Sequence, residues 1–315
     1  MSSDSEALAL NPAKEARGGF YLHPRYWRTW LLRLWMHVWA RLPLGFALRV
    51  HEALGRVLYA IPSRARKIVK TNLRLSFPDM SDVDVDRLAK RHFAAMAAGF
   101  AECSVAWCGS DRHIEGRFKV DGLEHVQQAL AGGKGVILFT GHFTGLEICG
   151  RHFNSCIERF VCMYSRRSNA LMNEIQRRGR LRVAHESIAS DQVRELLHAL
   201  KRNCAVWYAP DQAPLGRAST AVSFFAEPAM MTTATTRIAR ISGAPVVPFF
   251  YRRVPGTSRY ELRFEPPLQD FPGRDEVADT QRLAAQLEAF VRAAPAQYFW
   301  VQKKFRQRPG IADAY

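Results

Sequence analysis

The sequence predicts an α/β fold with a mostly parallel central sheet flanked by helices and preceded by a hydrophobic N-terminal helix. Short apolar runs predict strands at 135–140, 160–164, 205–209, 222–225, 245–251 and 260–264. Helical periodicity lies between several of them, at 123–131, 144–154, 169–178, 190–202, 231–242 and 277–293. Strands that alternate with helices of this length are typical of βαβ units and a parallel sheet.

The domain organisation follows from the lack of any linker, low-complexity block or internal repeat in the 315 residues. We expect one globular domain with an N-terminal extension. The predicted parts are a disordered tail over 1–20, a membrane-associating helical segment over 21–60 and an α/β domain over 61–315. Long helical patterns at 49–79 and 83–107 come before the first predicted strand.

The stretch YWRTWLLRLWMHVWARLPLGFAL (26–48) predicts a hydrophobic, membrane-associating helix, and it holds four of the chain's seven tryptophans. Its polar residues recur every four positions and form one predicted stripe: Arg25, Thr29, Arg33, His37 and Arg41. The helix can lie in the interface with its apolar face in lipid. It can instead span the bilayer with Arg33 facing protein, or pack on the protein's own core, and these alternatives stay open.

The net charge of +16 at pH 7 favours an anionic partner, such as an acidic protein or an anionic membrane. Nucleic acid is not expected, because the chain has no zinc-finger spacing, basic zipper or RNP-type aromatic motif. The six cysteines have neither CxxC nor zinc-ligand spacing, so they are interpreted as free thiols in a reducing compartment.

The stretch ILFTGHFTGLE (137–147) places His142 directly after a predicted strand, and WYAPDQ (207–212) places Asp211 after another. Because ligands bind at the carboxyl ends of parallel strands, the two residues are expected to share one edge of the sheet. The chain has no GxSxG serine elbow, HExxH zinc helix or GxxxxGK[ST] phosphate loop. A histidine with an acidic partner is the chemistry that remains.

Histidine is suited to take a proton near neutral pH, and a carboxylate on its other ring nitrogen stabilises the imidazolium. Glu147, five residues after His142, is predicted to supply that carboxylate by folding back from the next helix. Such a pair without a protein nucleophile suits direct acyl transfer to a hydroxyl. Thr144-Gly-Leu-Glu147 also matches the [ST]xxE capping box, so a helix cap is the alternative for Glu147.

An ordered set of motifs extends over nearly the whole chain. They are HPRYWRTW (23–30), ARKIVKTNLRLSFPD (65–79), GVILFTGHFTGLEICGR (135–151), RRGRLR (177–182), AVWYAPDQ (205–212), TTATTRIARISGAPVVP (232–248) and APAQYFWVQKKFRQRP (294–309). On these motifs the chain resembles the late acyltransferases of lipid A biosynthesis. This is the lauroyl/myristoyl/palmitoleoyl transferase family of Gram-negative bacteria, in the lysophospholipid acyltransferase superfamily.

The resemblance implies an enzyme of the cell inner membrane with its catalytic domain on the cytoplasmic side. Such enzymes move a fatty acyl chain from acyl carrier protein, a co-substrate, to a hydroxyacyl chain of a lipid A precursor, and no metal or other cofactor is implied. The family's Hx4[DE] catalytic pair falls on His142 and Glu147. Its RGR arginines fall on Arg178 and Arg180, and its PDQ aspartate on Asp211, as expected substrate-binding residues.

Two motifs depart from the family. Relatives often have Tyr-Arg-Pro where this chain has YSR (164–166), and the terminal Trp-x-His-Arg-Arg-Phe appears as WVQKKF (300–305). The basic segments 159–182 and 303–308 are expected to contact acyl carrier protein, the phosphorylated precursor or anionic inner-membrane lipids.

The expected reaction is acyl transfer to a lipid A precursor. A lauroyl chain is favoured because HPRYW and the C-terminal layout look most like lauroyl transferases. The same chemistry on a different glycolipid or phospholipid acceptor is the nearest alternative. A non-catalytic membrane-associated binding protein for acidic partners is an alternative of another class, and a carboxylesterase-like lipase is disfavoured by the missing serine elbow.

Overall fold

Helices occupy the chain before the sheet. The computed structural model describes residues 23–165, 169–212, 218–306 and 313–315, so the predicted tail 1–20 lies outside the described residues. The helices of the first part are α1 (Trp27–Trp39), α2 (Leu44–Ala60), α3 (Arg64–Ser76) and α4 (Asp82–Cys108).

The helical stretch predicted at 49–79 is two helices, α2 and α3. The break falls at Pro62 and Ser63, between Ala60 and Arg64. Proline disfavours the helical conformation in the residue before it, which ends α2. The Ser63 hydroxyl accepts a hydrogen bond from the Arg66 N–H at 3.2 Å, and this N-cap begins α3.

A mostly parallel sheet lies at the centre of the domain, as predicted. The strands of the chain are β1 (Phe118–Asp121), β2 (Val136–Phe139), β3 (Phe160–Tyr164), β4 (Glu186–Ala189), β5 (Ala205–Tyr208), β6 (Ser219–Phe224), β7 (Glu227–Thr232), β8 (Val246–Arg253) and β9 (Tyr260–Phe264). The strand order of the sheet is β1-β9-β8-β2-β5-β3-β4. Strands β8 and β9 pair antiparallel, and the other neighbours in this order pair parallel.

Helices pack on both sides of the central strands. They are α5 (Leu123–Ala131), α6 (Leu146–Cys156), α7 (Ala170–Arg180), α8 (Val193–Lys201), α9 (Ala234–Ser242) and α10 (Glu276–Ala293). All four residues of β2 are buried, as expected for a parallel strand covered on both faces. Phe153 of α6 packs edge-on against Trp207 of β5 and Phe249 of β8, which joins helix and sheet in one core. All six cysteines are free thiols.

Three strands escaped the sequence prediction. β1 reads Phe-Lys-Val-Asp and is partly exposed along its length, and β4 is half-exposed at its start, so neither has a strong apolar pattern. β7 covers residues predicted as the start of a helix. It pairs with β6 in a separate antiparallel hairpin, and α9 begins only at Ala234.

The polar stripe predicted along α1 is exposed at its ends, at Arg25 and Arg41, and turned toward the protein in its middle. Thr29 in its middle is buried, and its hydroxyl accepts a hydrogen bond from the Asn169 side chain at 2.9 Å at the start of α7. Arg33 and His37 are half-buried. The stripe turns toward the protein because this polar contact joins α1 to α7.

The opposite side of α1 and the outer side of α2 expose large apolar side chains. We call this set the apolar N-terminal face; its members are between 36% and 66% exposed and comprise Trp27, Leu31, Leu34, Trp35, Val38, Phe46, Val50, Leu54, Val57, Leu58 and Ile61. The other side of α1 packs on the protein's own core through Tyr26 and Met36, so the core-packing alternative holds for that side of the helix only. Among the described residues, no helix combines the length and apolarity needed to cross a membrane.

Candidate active site

His142 lies in the turn that connects β2 to α6, at the carboxyl end of β2. The backbone of this turn is held by Tyr251 of β8, whose buried hydroxyl accepts from the Phe143 N–H at 3.1 Å. The same hydroxyl donates to the Gly141 carbonyl at 3.1 Å. A single side chain therefore binds the peptide groups on both sides of His142.

The C-terminal segment after α10 holds the other edge of this turn. The Thr144 N–H donates to the Gln297 carbonyl at 2.8 Å, and the Phe299 N–H donates to the His142 carbonyl at 3.0 Å. These bonds add a short antiparallel bridge to the turn. The position of His142 is fixed by contacts that are far apart in the sequence.

Asp211 binds the imidazole of His142. Its Oδ1 lies 2.5 Å from Nδ1 of His142, and its Oδ2 accepts from the His142 backbone N–H at 2.9 Å. The prediction that both residues share one edge of the sheet is confirmed. Because Nδ1 is committed to Asp211, Nε2 is the ring nitrogen left for substrate, and the His142 side chain is 31% exposed.

The carboxylate of Asp211 stays ionised although it is buried. Burial alone would raise its pKa, but the His142 imidazole and the Lys304 ammonium outweigh that effect and hold the pKa below its usual value. An ionised Asp211 accepts the Nδ1 proton of His142, which selects the tautomer with a free lone pair on Nε2. This geometry leaves the Nε2 lone pair of His142 available to accept a proton.

Glu147 does not contact His142 in the structure, so the predicted His142–Glu147 hydrogen bond is wrong. One Glu147 oxygen accepts from Arg180 Nη2 at 2.8 Å and from Nε at 3.1 Å, and the other accepts from the indole N–H of Trp107 at 2.9 Å. The carboxylate is turned toward α4 and α7 because its partners lie there.

The capping box predicted for Thr144 and Glu147 is also absent. α6 begins after Gly145, which acts as N-cap in the left-handed conformation with φ of +82° and gives no side-chain cap. The buried hydroxyl of Thr144 has no described hydrogen-bond partner. Glycine adopts this backbone conformation without strain, so the helix begins one residue later than the motif predicts.

The two arginines of the RGR motif lie in different environments. Arg180 is nearly buried, and besides Glu147 it donates from Nη1 to the Met163 carbonyl at 2.5 Å. Burial alone would lower the pKa of Arg180, but the Glu147 carboxylate more than offsets this and raises the pKa. Arg178 has a side chain that is 64% exposed and pairs with Glu174 on the surface of α7.

The carboxylates of Asp211 and Glu147 both act on the same tyrosine, Tyr251. Burial raises the pKa of Tyr251 well above its usual value, and the carboxylates of Asp211 and Glu147 both raise it further. The structure thus brings together His142 with Asp211 and Glu147 with Arg180, near Tyr251. Arg178 stands apart, because residues two positions apart on a helix point about 200° away from each other.

Three residues of this site escaped the sequence prediction. Trp107 ends α4 in an ordinary apolar pattern, and Tyr251 lies in a strand where an aromatic residue is expected. Lys304 belongs to the basic segment 303–308 predicted as a contact surface, yet it is buried beneath Asp211. Residues 166–168 and 307–308 of the two predicted contact segments lie outside the described residues.

Gly179, between the two RGR arginines, should not tolerate alanine. A Cβ there would lie 2.4 Å from Cδ2 of the Trp107 ring, and this ring is held by Glu147. Gly179→Ala is expected to lower stability by about 1–3 kcal/mol through overpacking. Gly45→Ala in α2 is the matched control, because its Cβ would meet only Ser258 Oγ at 3.9 Å. Thermal unfolding in detergent checks this, and equal melting temperatures for both variants would contradict the contact.

An aspartate–histidine pair at the carboxyl ends of parallel strands, in a chain without a serine nucleophile elbow, is compatible with acyl transfer to a hydroxyl. Comparison with known proteins agrees. Residues 18–307 match the family described as "Bacterial lipid A biosynthesis acyltransferase", and the chain belongs to this family. It is an acyltransferase enzyme of lipid A biosynthesis.

Individual relatives cover almost the full chain. The lipid A biosynthesis lauroyltransferase of Escherichia coli (strain K12) is 35% identical over 93% of this chain and 96% of its own length. The palmitoleoyltransferase of the same organism is 31% identical over 92% of this chain and 94% of its own length. A solved 1-acyl-sn-glycerophosphate acyltransferase from Thermotoga maritima is 13% identical, with a TM-score of 0.38 over 80% of this chain and 96% of that one. That overlap is too weak to support an argument.

Proposed function

We propose that this enzyme transfers a fatty acyl chain from acyl carrier protein to the hydroxyl of a hydroxyacyl chain on a lipid A precursor, as a step of lipopolysaccharide biosynthesis. The observation that carries the mechanism is the His142–Asp211 pair, with Nδ1 bound and Nε2 available. A lauroyl chain is favoured, since the lauroyltransferase is 35% identical and the palmitoleoyltransferase 31%.

The chemistry needs one proton acceptor and no covalent acyl-enzyme. Nε2 of His142 takes the proton of the acceptor's 3-hydroxyl as its oxygen attacks the thioester carbonyl. The tetrahedral intermediate then collapses, the carbon–sulfur bond breaks, and the phosphopantetheine thiolate takes the proton back from the imidazolium. Asp211 stabilises the imidazolium between these two steps.

Glu147 acts in this proposal through Arg180 and not through His142. Its carboxylate holds the guanidinium by two hydrogen bonds and balances a charge that is otherwise buried. Arg180 keeps N–H groups that are not engaged by Glu147 or Met163, and these suit a developing oxyanion or a phosphate of the precursor. Exposed Arg178 suits a phosphate further out.

The apolar N-terminal face is proposed to lie in the interface of the inner membrane, on its cytoplasmic side. Large apolar side chains on two consecutive helices form one exposed face, and soluble monomers rarely expose contiguous apolar patches of this kind. α1 packs against α7, which carries Arg178 and Arg180. A membrane at this face would lie beside the residues proposed to bind the precursor.

The product assay tests the proposed function. Purified protein is incubated with acyl carrier proteins that carry chains of different length, together with a lipid A precursor with and without Kdo sugars, and products are identified by mass spectrometry. We expect an ester on a hydroxyacyl chain of the precursor, with the C12 donor used fastest. Acylation of a glycerophospholipid or another glycolipid instead would establish the alternative acceptor class, and release of free fatty acid would contradict transfer.

Replacing three members of the apolar N-terminal face by serine, at Leu31, Leu34 and Val57, is expected to weaken membrane binding by about 10²-fold or more. Each is more than 60% exposed, so folding does not depend on it. Burial of such a side chain in lipid contributes about 1.5–3 kcal/mol. Co-sedimentation with phosphatidylethanolamine–phosphatidylglycerol vesicles measures the change.

The matched control replaces three large apolar residues that are exposed elsewhere, Val83, Val193 and Ile241, by serine. This triple variant should bind vesicles like the unaltered protein. If both triple variants sediment equally well, the apolar N-terminal face is not the membrane-binding surface.

A further inference from the structure

Lys304 carries a buried ammonium group that lies directly beneath the His142–Asp211 pair. Its Nζ donates to the backbone carbonyl of Asp211 at 2.6 Å, and its side chain is almost fully buried. The ammonium also lies over the ring of Phe224, 4.7 Å from the centroid. Burying a charge is unfavourable unless an opposite charge is near, and here that charge is the Asp211 carboxylate.

The fold holds this lysine in place from α3. The side-chain amide of Asn72 donates to the carbonyls of Trp300 and Gln302, each at 2.6 Å. Earlier in the same C-terminal segment, the Phe299 N–H donates to the His142 carbonyl. The C-terminal segment is therefore fixed at both the histidine and the aspartate, and Lys304 is its contact with the aspartate.

We infer that Lys304 is a positioning residue for His142, because it fixes the Asp211 carbonyl and balances the Asp211 carboxylate, so that its charge opposes protonation of the imidazole. This inference rests on the proposed role of His142 as general base.

The physical reason is the charge balance around the imidazole. Both carboxylate oxygens of Asp211 already bind His142, so Lys304 acts on the carboxylate through its charge. An unbalanced buried carboxylate would favour the imidazolium, and a neighbouring cation opposes it. Burial lowers the pKa of Lys304 to about 8, with Asp211 opposing that shift, so the amine is mostly charged at pH 7.

Few other ionisable groups lie near Asp211 in the part of the chain that the structure describes. Among the described residues, the ionisable side chains that act on Asp211 besides Lys304 are His142 from the β2–α6 turn, Tyr251 from β8 and Tyr298 from the C-terminal segment. The hairpin contributes the ring of Phe224, which is uncharged. The adjacent Lys303 points elsewhere, toward Asp313 at 3.8 Å.

The test is a titration of the His142 ring by NMR in histidine-labelled protein, from about pH 5 to about pH 7.5. His142→Ala identifies the resonance. In Lys304→Gln the donor is kept and the charge is lost, so the midpoint of the imidazole titration should rise by about one pH unit, a tenfold change in proton affinity. Lys304→Arg and the neighbouring control Lys303→Gln should titrate like the unaltered protein.

A Lys304→Gln midpoint equal to that of the unaltered protein would overturn the inference. If Lys304→Gln does not fold, Lys304→Arg still tests the inference. That variant keeps the positive charge, so a raised midpoint of the His142 titration would contradict the proposed charge balance. The titration needs no substrate. Failure of the product assay would refute the proposed function, and failure of the titration would refute only the role of Lys304.

Discussion

Replacing His142 by alanine is expected to abolish acyl transfer, a loss of about 10⁴-fold, at the upper end of what a positioned general base contributes. No other described group is held where it could take the hydroxyl proton at Nε2's position, since Asp211 has both oxygens bound to His142. The measurement is the rate of acylated precursor formation by mass spectrometry, at saturating donor.

Folding and membrane association should persist in His142→Ala, because the side chain is partly exposed and the backbone of its turn is held by Tyr251 and the C-terminal segment. His198→Ala is the control, since His198 lies on the surface of α8 with a 66% exposed side chain. Near-normal turnover in His142→Ala would remove the general-base mechanism.

Replacing Asp211 by asparagine is expected to lower the transfer rate by about 10³-fold. The asparagine NH₂ group can donate a hydrogen bond to Nδ1 of His142. Nδ1 then acts as an acceptor and the ring proton moves to Nε2, where the free lone pair is needed. The rate of precursor acylation measures this loss. Asp279→Asn is the matched control, because Asp279 is an equally buried carboxylate whose described backbone partner is the Gly273 N–H and not His142.

Glu147→Gln, compared with Asp211→Asn, distinguishes the roles of the two carboxylates in the site. It leaves the nearly buried Arg180 without its counter-charge, so we expect stability to fall by about 3–5 kcal/mol. Asp211→Asn also removes the charge opposite buried Lys304, so some loss of stability is expected, and its distinguishing effect is the reduced transfer rate of the folded protein. If Asp211→Asn kept the full rate while Glu147→Gln lost it with the fold intact, the predicted His142–Glu147 pair would be right and the observed pairing irrelevant to catalysis.

The sequence predicted the buried strands well because their apolar runs carry the pattern themselves. Strands β2, β3, β5, β8 and β9 were all predicted, whereas β1 and β4 at the two edges of the sheet were not. Edge strands are half-exposed and include polar residues, so they have no continuous apolar run. The separate hairpin β6–β7 depends on pairing between strands, which no single stretch of sequence shows.

The sequence predicted which residues form the site, but not which of them pair with each other. That His142 and Asp211 share an edge follows from their places after β2 and β5, which are adjacent and parallel. The partner of His142 was assigned to Glu147 from the short spacing and the family motif. The direction of Glu147 depends on Trp107 and Arg180, which lie 40 and 33 residues away, and on the left-handed Gly145 that begins α6. Such contacts exist only after folding.

A single-turnover experiment tests direct transfer by His142 most directly. Protein in excess is mixed with acyl carrier protein that bears a labelled acyl chain, first without and then with the lipid A precursor, and the intact masses of protein, donor and precursor are followed together. We predict that the thioester stays intact until the precursor is added, and that the label then moves to the precursor with the protein's mass unchanged. An acyl group bound covalently to the protein before the precursor is added would contradict it.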